Sequence, residues 1–157
     1  MYIVMNEDPS LANDASPLVP LGTIRAYNHP TYGPQLCMYV QFKDAVTYVA
    51  YAPLGWSAGD AGVKVTGDVS EDNGCAAGVA PGRVMTENYY GWMTVSGVTP
   101  LLMNNDDDAA DGNVAIIAGD MAADTGTDPG LVTALGIVVT AVVAGTNIAI
   151  VRLKGLI

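Results

Sequence analysis

A single histidine limits the chemistry open to this chain. His29 lies between Asn28 and Pro30, and any Ser-His-Asp or Cys-His arrangement must use it. No G-x-S-x-G turn accompanies it, so a packed or solvated loop histidine is its expected role. The run Asn104-Asn105-Asp106-Asp107-Asp108-Ala109-Ala110-Asp111-Gly112-Asn113 carries the carboxylates that hard cations take. Its spacing fails an EF-hand, because a loop starting at Asp106 puts Ala110 and Ile117 where ligands belong. A solvated acidic loop is expected there. Gly55 to Gly62 lacks the Lys and the following helix of a phosphate cradle. One histidine and two distant cysteines, Cys37 and Cys75, cannot close a zinc site. No enzyme activity, metal or cofactor is expected.

The residues that remain are suited to contact rather than catalysis. In Tyr89-Tyr90-Gly91-Trp92, strand geometry puts Tyr90 and Trp92 on one face and Tyr89 with Gly91 on the other. Gly91 leaves room for a close neighbour. The aromatics serve either as core or as anchors for a partner. Residues 1–20 contain Pro9, Pro17 and Pro20 and follow neither helical nor strand periodicity. Tyr2, Ile3, Val4 and Met5 form an apolar tip, followed irregularly by Leu11, Leu18 and Val19. This reads as an extended arm that docks, or as a disordered tail. The expected contact residues are Tyr2, Ile3, Val4, Met5, Leu11, Leu18, Val19, Tyr89 and Trp92. Removing residues 1–19 is expected to leave the rest folded.

Composition narrows the partners. Half of the 157 residues are hydrophobic, only 14% are charged, and the formal net charge is −10. Nucleic-acid binding needs a basic face, yet the six basic residues (Arg25, Lys43, Lys64, Arg83, Arg152, Lys154) are scattered. An acidic membrane surface repels such a chain. Neither direct nucleic-acid binding nor membrane binding is expected. The N-terminus has no basic region followed by an apolar stretch, so no signal peptide is expected and assembly belongs in the cytoplasm. Leu131 to Val151 is long enough for a membrane span. It is rich in β-branched residues and broken by Gly136 and Ala144-Gly145-Thr146-Asn147, which favours two buried strands and a turn.

These residues must be positioned by strands. Strands are expected at 22–27, 36–42, 45–51, 63–66, 79–85, 89–95, 97–103, 114–118, 131–143 and 148–153. The loop Asn28–Pro34 holds two prolines and a glycine, and Lys43-Asp44 reads as a hairpin turn. Leu36, Met38, Val40 and Phe42 share one face; Cys37, Tyr39 and Gln41 share the other. Cys37 is expected to be a buried free thiol, and Cys75 to lie in a Gly/Asn loop. No amphipathic helix is apparent, so the fold class is all-β, a small antiparallel barrel or sandwich over 21–157 with the arm before it. An internal echo runs through the chain. Gly78 and Gly97 have the same separation as Gly136 and Gly155; Val84-Met85 parallels Val142-Val143, and Trp92-Met93-Thr94-Val95 parallels Ile150-Val151-Arg152-Leu153. It suits a pseudo-symmetric barrel, and chance likeness of two Gly-bounded hairpins is the other explanation.

The chain resembles the capsid decoration, or cement, proteins of tailed bacteriophages. The resemblance rests on Pro20-Leu21-Gly22-Thr23-Ile24-Arg25, Met38-Tyr39-Val40-Gln41-Phe42, Ala77-Gly78-Val79-Ala80, Tyr89 through Gly97, Leu135-Gly136-Ile137 and Ile150 through Gly155. It implies a β-barrel or β-tulip domain on the outer surface of a phage head, commonly trimeric, with the major capsid protein as partner. It also implies an N-terminal arm that helps clamp neighbouring capsid subunits, and no catalytic residues. Another virion β-module (tail, baseplate or fibre attachment) is an alternative, as is a carbohydrate-binding or hydrolytic β-domain.

Overall fold

The computed structural model describes residues 3–43, 48–60, 63–67, 72–103, 114–117, 123–126, 134–143 and 146–155. Eleven strands are present among the described residues: β1 (Ile3–Val4), β2 (Ile24–His29), β3 (Gly33–Phe42), β4 (Pro53–Ser57), β5 (Lys64–Thr66), β6 (Asp72–Val79), β7 (Tyr90–Leu102), β8 (Val114–Ile117), β9 (Ala123–Gly126), β10 (Ala134–Val143) and β11 (Ile148–Leu153). The order is β1-β2-β3-β5-β4-β6-β7-β11-β10-β8-β9, and a further β3–β7 pairing closes β3, β5, β4, β6 and β7 into a barrel. The all-β expectation holds. The barrel is not purely antiparallel, because β5 lies parallel to β3.

Alternation along β3 organises the core. Met38, Val40 and Phe42 point into the barrel with Leu54, Val65, Met93 and Val95. Cys37 and Tyr39 point out, towards Trp92. Two-residue periodicity alone accounts for this division.

Several local expectations need correction. Asn28 pairs with Pro34 and His29 with Gly33, so the expected loop is a tight hairpin. Pro34 is tolerated because it opens its strand, where a missing N–H is least costly. Lys43-Asp44 does not join two paired strands: Phe42 N–H donates to Tyr89 O and Lys43 N–H to Val65 O. Residues 44–47 lie outside the described residues, and Tyr48 makes only an isolated bridge to Met85. β4 falls between the strands expected at 45–51 and 63–66, Cys75 lies in β6 rather than in a loop, and β9 falls between the strands expected at 114–118 and 131–143. β6 ends at Val79, ahead of Pro81-Gly82, so the strand expected at 79–85 is absent there and Met85 makes only an isolated bridge. The two segments expected on either side of Ser96 are one strand, β7, whose first part pairs with β3 and whose last part pairs with β11. Gly97 stands at the changeover with φ +104. There a Cβ would meet Pro34 O at 2.6 Å. The apolar 131–151 segment supplies β10 and β11, an antiparallel pair. No helix among the described residues is long and apolar enough to cross a membrane.

The internal echo is a repeat of the pairing scheme. The first unit is β3, β4, β5, β6, β7; the second is β7, β8, β9, β10, β11. Tyr39↔Trp92 recurs as Pro100↔Ile150. Leu54↔Gly78 followed by the irregular step to Gly55↔Ala76 recurs as Ala115↔Gly136 followed by Ile116↔Ala134. Trp56↔Val65 recurs as Ile117↔Ala123, and Val79↔Thr94 as Ile137↔Arg152. One fixed step along the chain relates β3 and β4 to β7 and β8, and a second relates β5, β6 and β7 to β9, β10 and β11. Inward positions correspond as well: Val40, Phe42, Ala77, Met93 and Val95 of the first core match Leu101, Met103, Leu135, Val151 and Leu153 of the second. Gly97 and its counterpart Gly155 both have positive φ. The match of Val84-Met85 to Val142-Val143 does not carry over, since only the latter pair lies in a strand.

Candidate interaction surface

The outer face of the first unit is apolar and covered by the chain itself. Tyr39 and Trp92 are register partners on β3 and β7, with ring centroids 5.0 Å apart at 62°. Cys37 is buried beside them, and Met5, Ala12, Val19, Leu21 and Tyr27 pack on top. The Arg25 guanidinium stands 5.3 Å from the Trp92 ring centre, in cation–π range.

Hydrogen bonds fasten the arm across this face. The Pro9–Leu11 turn is capped by Asp8, whose carboxylate accepts from Ser10 N–H. Met5 N–H donates to Ala26 O at 2.7 Å, continuing the parallel β1–β2 pairing. Arg83 donates to the carbonyls of Ser10 and Leu11. Asn13 Nδ2 donates to the Thr86 hydroxyl, and Asn13 Oδ1 accepts from Thr86 N–H. Asp14 pairs with Tyr90 through both backbone groups, and its carboxylate accepts the Tyr39 hydroxyl at 2.7 Å. Gly91 faces Met85 and the carbonyl of Ala12, and a Cβ there would meet them at 2.5 and 2.9 Å. The room expected beside Gly91 is thus taken up by the chain's own arm.

The expected contact residues divide into two sets. Met5 and Val19 turn inward, and Trp92 is buried at 7% exposure, so Trp92 acts as core beneath the arm and offers no free anchor. Ile3, Val4, Leu11 and Leu18 turn outward, with 69%, 62%, 70% and 73% of their surface exposed. Tyr89 is half-buried just before β7. Tyr2 and the acidic run Asn104–Asn113 lie outside the described residues. The sequence reading missed Arg25, Arg83 and Asp14 as fasteners, and Ile137 and Val139 as exposed apolar residues of β10. None of these is marked by a local pattern in the sequence.

The chemistry of this face is that of a dry contact. Burial pushes the Cys37 thiol up to about 12. Burial likewise pushes the Tyr39 hydroxyl up to about 12, and its bond to the Asp14 carboxylate adds to the rise. The unfolded tyrosine ionises near 10 while the folded one stays neutral, so this contribution to stability is intact below pH ~10 and lost between about 10 and 12. Thermal melting from pH 8 to 12 should show Tyr39→Phe losing less stability in that window than the parent chain. Equal slopes in the two proteins would show that Tyr39 ionises freely.

His29 has a structural role: its Nδ1 accepts from Thr31 and Tyr32 N–H at 3.0 and 3.2 Å and holds the hairpin turn. Among the described residues no group of three His, Cys, Asp or Glu side chains is placed to hold a metal.

Fold and surface together define an all-β protein of two like units, one closed into a barrel, with an N-terminal strap across it. No protein-family profile matches the chain, and no curated protein sequence does. Among solved structures it is similar to the N base of the head fiber protein gp8.5 of bacteriophage phi29. That likeness has a TM-score of 0.52 at 16% identity and covers 77% of this chain and 96% of that one.

Proposed function

We propose that this chain is a structural protein of a phage virion, bound to the outer surface of the head, where it ties neighbouring major capsid subunits together. The observation that carries the reading is β1: a short strand at the edge of the sheet whose Ile3 and Val4 are exposed and apolar. An open strand edge pairs readily with another chain. The fold likeness to a head fiber base supports a place on the head. It equally favours a second reading, in which the chain is the base of a fibre rather than a clamp. Either role depends on avidity, with several modest contacts made at once. Neither needs catalysis, a cofactor, nucleic acid or a membrane.

Sedimentation with undecorated phage heads tests this. The chain should pellet with heads, and Ile3→Asp with Val4→Asp should weaken that binding at least tenfold while the melting temperature holds. Heads carrying the chain should also survive heating that bursts bare heads. Binding without added resistance selects the fibre-base reading. Attachment to tails alone, or to neither, removes the head assignment.

A further inference from the structure

We propose that the pocket between the arm's Pro9–Leu11 turn and the first unit binds one ring of a neutral carbohydrate, held by Asp8, His29 and Tyr51.

The pocket has a volume of about 240 Å³ and draws its walls from distant parts of the chain. The arm contributes Asp8, the β2–β3 hairpin His29, the segment before β4 Tyr51, and β7 Trp92. Pockets for drug-sized ligands begin at ~300 Å³, so this one suits a single ring.

Three polar groups in these walls are left over. Asp8 Oδ1 accepts from Ser10 N–H, and the carboxylate takes no other bond among the described residues. His29 Nδ1 accepts two backbone N–H groups, so the proton of the neutral imidazole sits on Nε2. That Nε2–H has no acceptor among the described residues. The Tyr51 hydroxyl makes no hydrogen bond among them either. It lies beside Gly82, another wall residue, where an added Cβ would meet it at 2.5 Å. Burial first, then Tyr32 and Asp8, push this hydroxyl above its usual range, so it stays a neutral donor and acceptor. Tyr51 is also held under strain. Its φ is +62, a region bulky side chains avoid. Its N–H donates to Pro81 O, and its carbonyl accepts from Leu102 N–H. Strain of this kind gathers at ligand sites.

This inventory selects the ligand. A carboxylate accepts from hydroxyls, an imidazole N–H donates to one, and a tyrosine hydroxyl does both. The Tyr51 and His29 rings offer apolar faces to ring C–H groups. Asp8 carries the only full charge in these walls, which disfavours phosphates and acidic sugars. The repeat serves as an internal control. Gln35, Trp92 and Thr94 of the pocket correspond to Ser96, Ile150 and Arg152 in the second unit, so the shared fold does not require this lining. Asp8, Ser10 and His29 do not form a hydrolytic triad. A triad histidine donates from Nδ1 and accepts at Nε2, whereas here Nδ1 is the acceptor. The pocket therefore holds its ligand without cleaving it.

Saturation-transfer NMR on the full chain, without heads, provides the test. The probes are the methyl glycosides of glucose, galactose, mannose and N-acetylglucosamine. At least one should show transfer to its ring protons at millimolar concentration and change the tryptophan fluorescence. Asp8→Asn still caps the turn. It and Tyr51→Phe should each weaken that binding roughly fivefold, the worth of one hydrogen bond, with the melting temperature unchanged. Should Asp8→Asn melt early, Tyr51→Phe alone decides. Glu7→Gln, which removes a neighbouring carboxylate outside the pocket, should bind as the parent does. Silence from all the glycosides at high millimolar concentration overturns the proposal, as does binding that Tyr51→Phe leaves unchanged. Tighter binding of glucuronic acid or of tetramethylammonium than of every glycoside overturns it too, the latter by making the pocket a cage for cations. Head binding plays no part in any of these outcomes.

Discussion

Replacing Trp92 by alanine is expected to lower the unfolding free energy by about 3–5 kcal/mol, and by far less once residues 1–19 are removed. Trp92 is 7% exposed only because Met5, Ala12, Val19 and the β2 residue Tyr27 pack around it and Tyr39. Removing the arm uncovers the indole, so a later truncation to alanine removes surface that is already wet. The arm deletion should also be costly in its own right. It loses the packing of Met5 and Val19 and the bonds from Arg83, Thr86, Tyr39 and Tyr90. Two half-buried side chains and several bonds amount to roughly 3 kcal/mol. The first 19 residues therefore pack as part of the folded unit, and the domain left by their removal is expected to be folded but less stable. Urea unfolding of the four proteins in the cycle measures the coupling. Additive losses would mean that the arm and Trp92 do not share a contact, which the packing on this face forbids.

How far the fold was legible depended on whether a strand's neighbours were local. Alternation in Leu36–Phe42 announced which side chains enter the barrel, and they do. The aromatic run Tyr89–Val95 was legible for the same reason. Lys43-Asp44 misled because its turn residues suggested a hairpin, whereas β3 takes its partners from far along the chain: β5 in parallel and β7 across the barrel. β4, Pro53-Leu54-Gly55-Trp56-Ser57, carries a proline and a glycine and no alternation, so nothing local marked it. It is a strand because β5 and β6 flank it.

The candidate surface was half legible. The irregular apolar residues of the arm were visible, but which of them face in depends on the path over Tyr39 and Trp92, and no pattern within twenty residues encodes that path. Ile137 and Val139 sit in an almost unbroken apolar stretch that reads as buried on both sides. Their exposure is set by packing between the units: Val79, the counterpart of Ile137, is buried because it packs in the second core.

The two matched glycines should respond alike to substitution. At Gly78 an added Cβ would meet Thr94 O at 2.5 Å and Met93 Sδ at 3.1 Å. At Gly136 it would meet the carbonyl oxygen of Arg152, the counterpart of Thr94. In both places the obstacle is backbone of a paired strand, which cannot swing aside as a side chain tip can. Gly78→Ala and Gly136→Ala should therefore each cost about 1–3 kcal/mol, the usual range for overpacking. Gly59→Ala serves as control: its φ is +82 and nothing lies within 4 Å of the added carbon, so only a backbone cost of about 1 kcal/mol applies. The two units should also unfold together. They share β7, and Ala76 and Val79 of the first unit's β6 pack in the second core. Each glycine substitution should thus shift one common transition, seen equally by tryptophan fluorescence from Trp56 and Trp92 in the first unit and by far-UV circular dichroism over both. A neutral Gly136→Ala beside a costly Gly78→Ala would show that the second unit does not share the close approach. Separate transitions for the two probes would show that the shared strand does not couple the units.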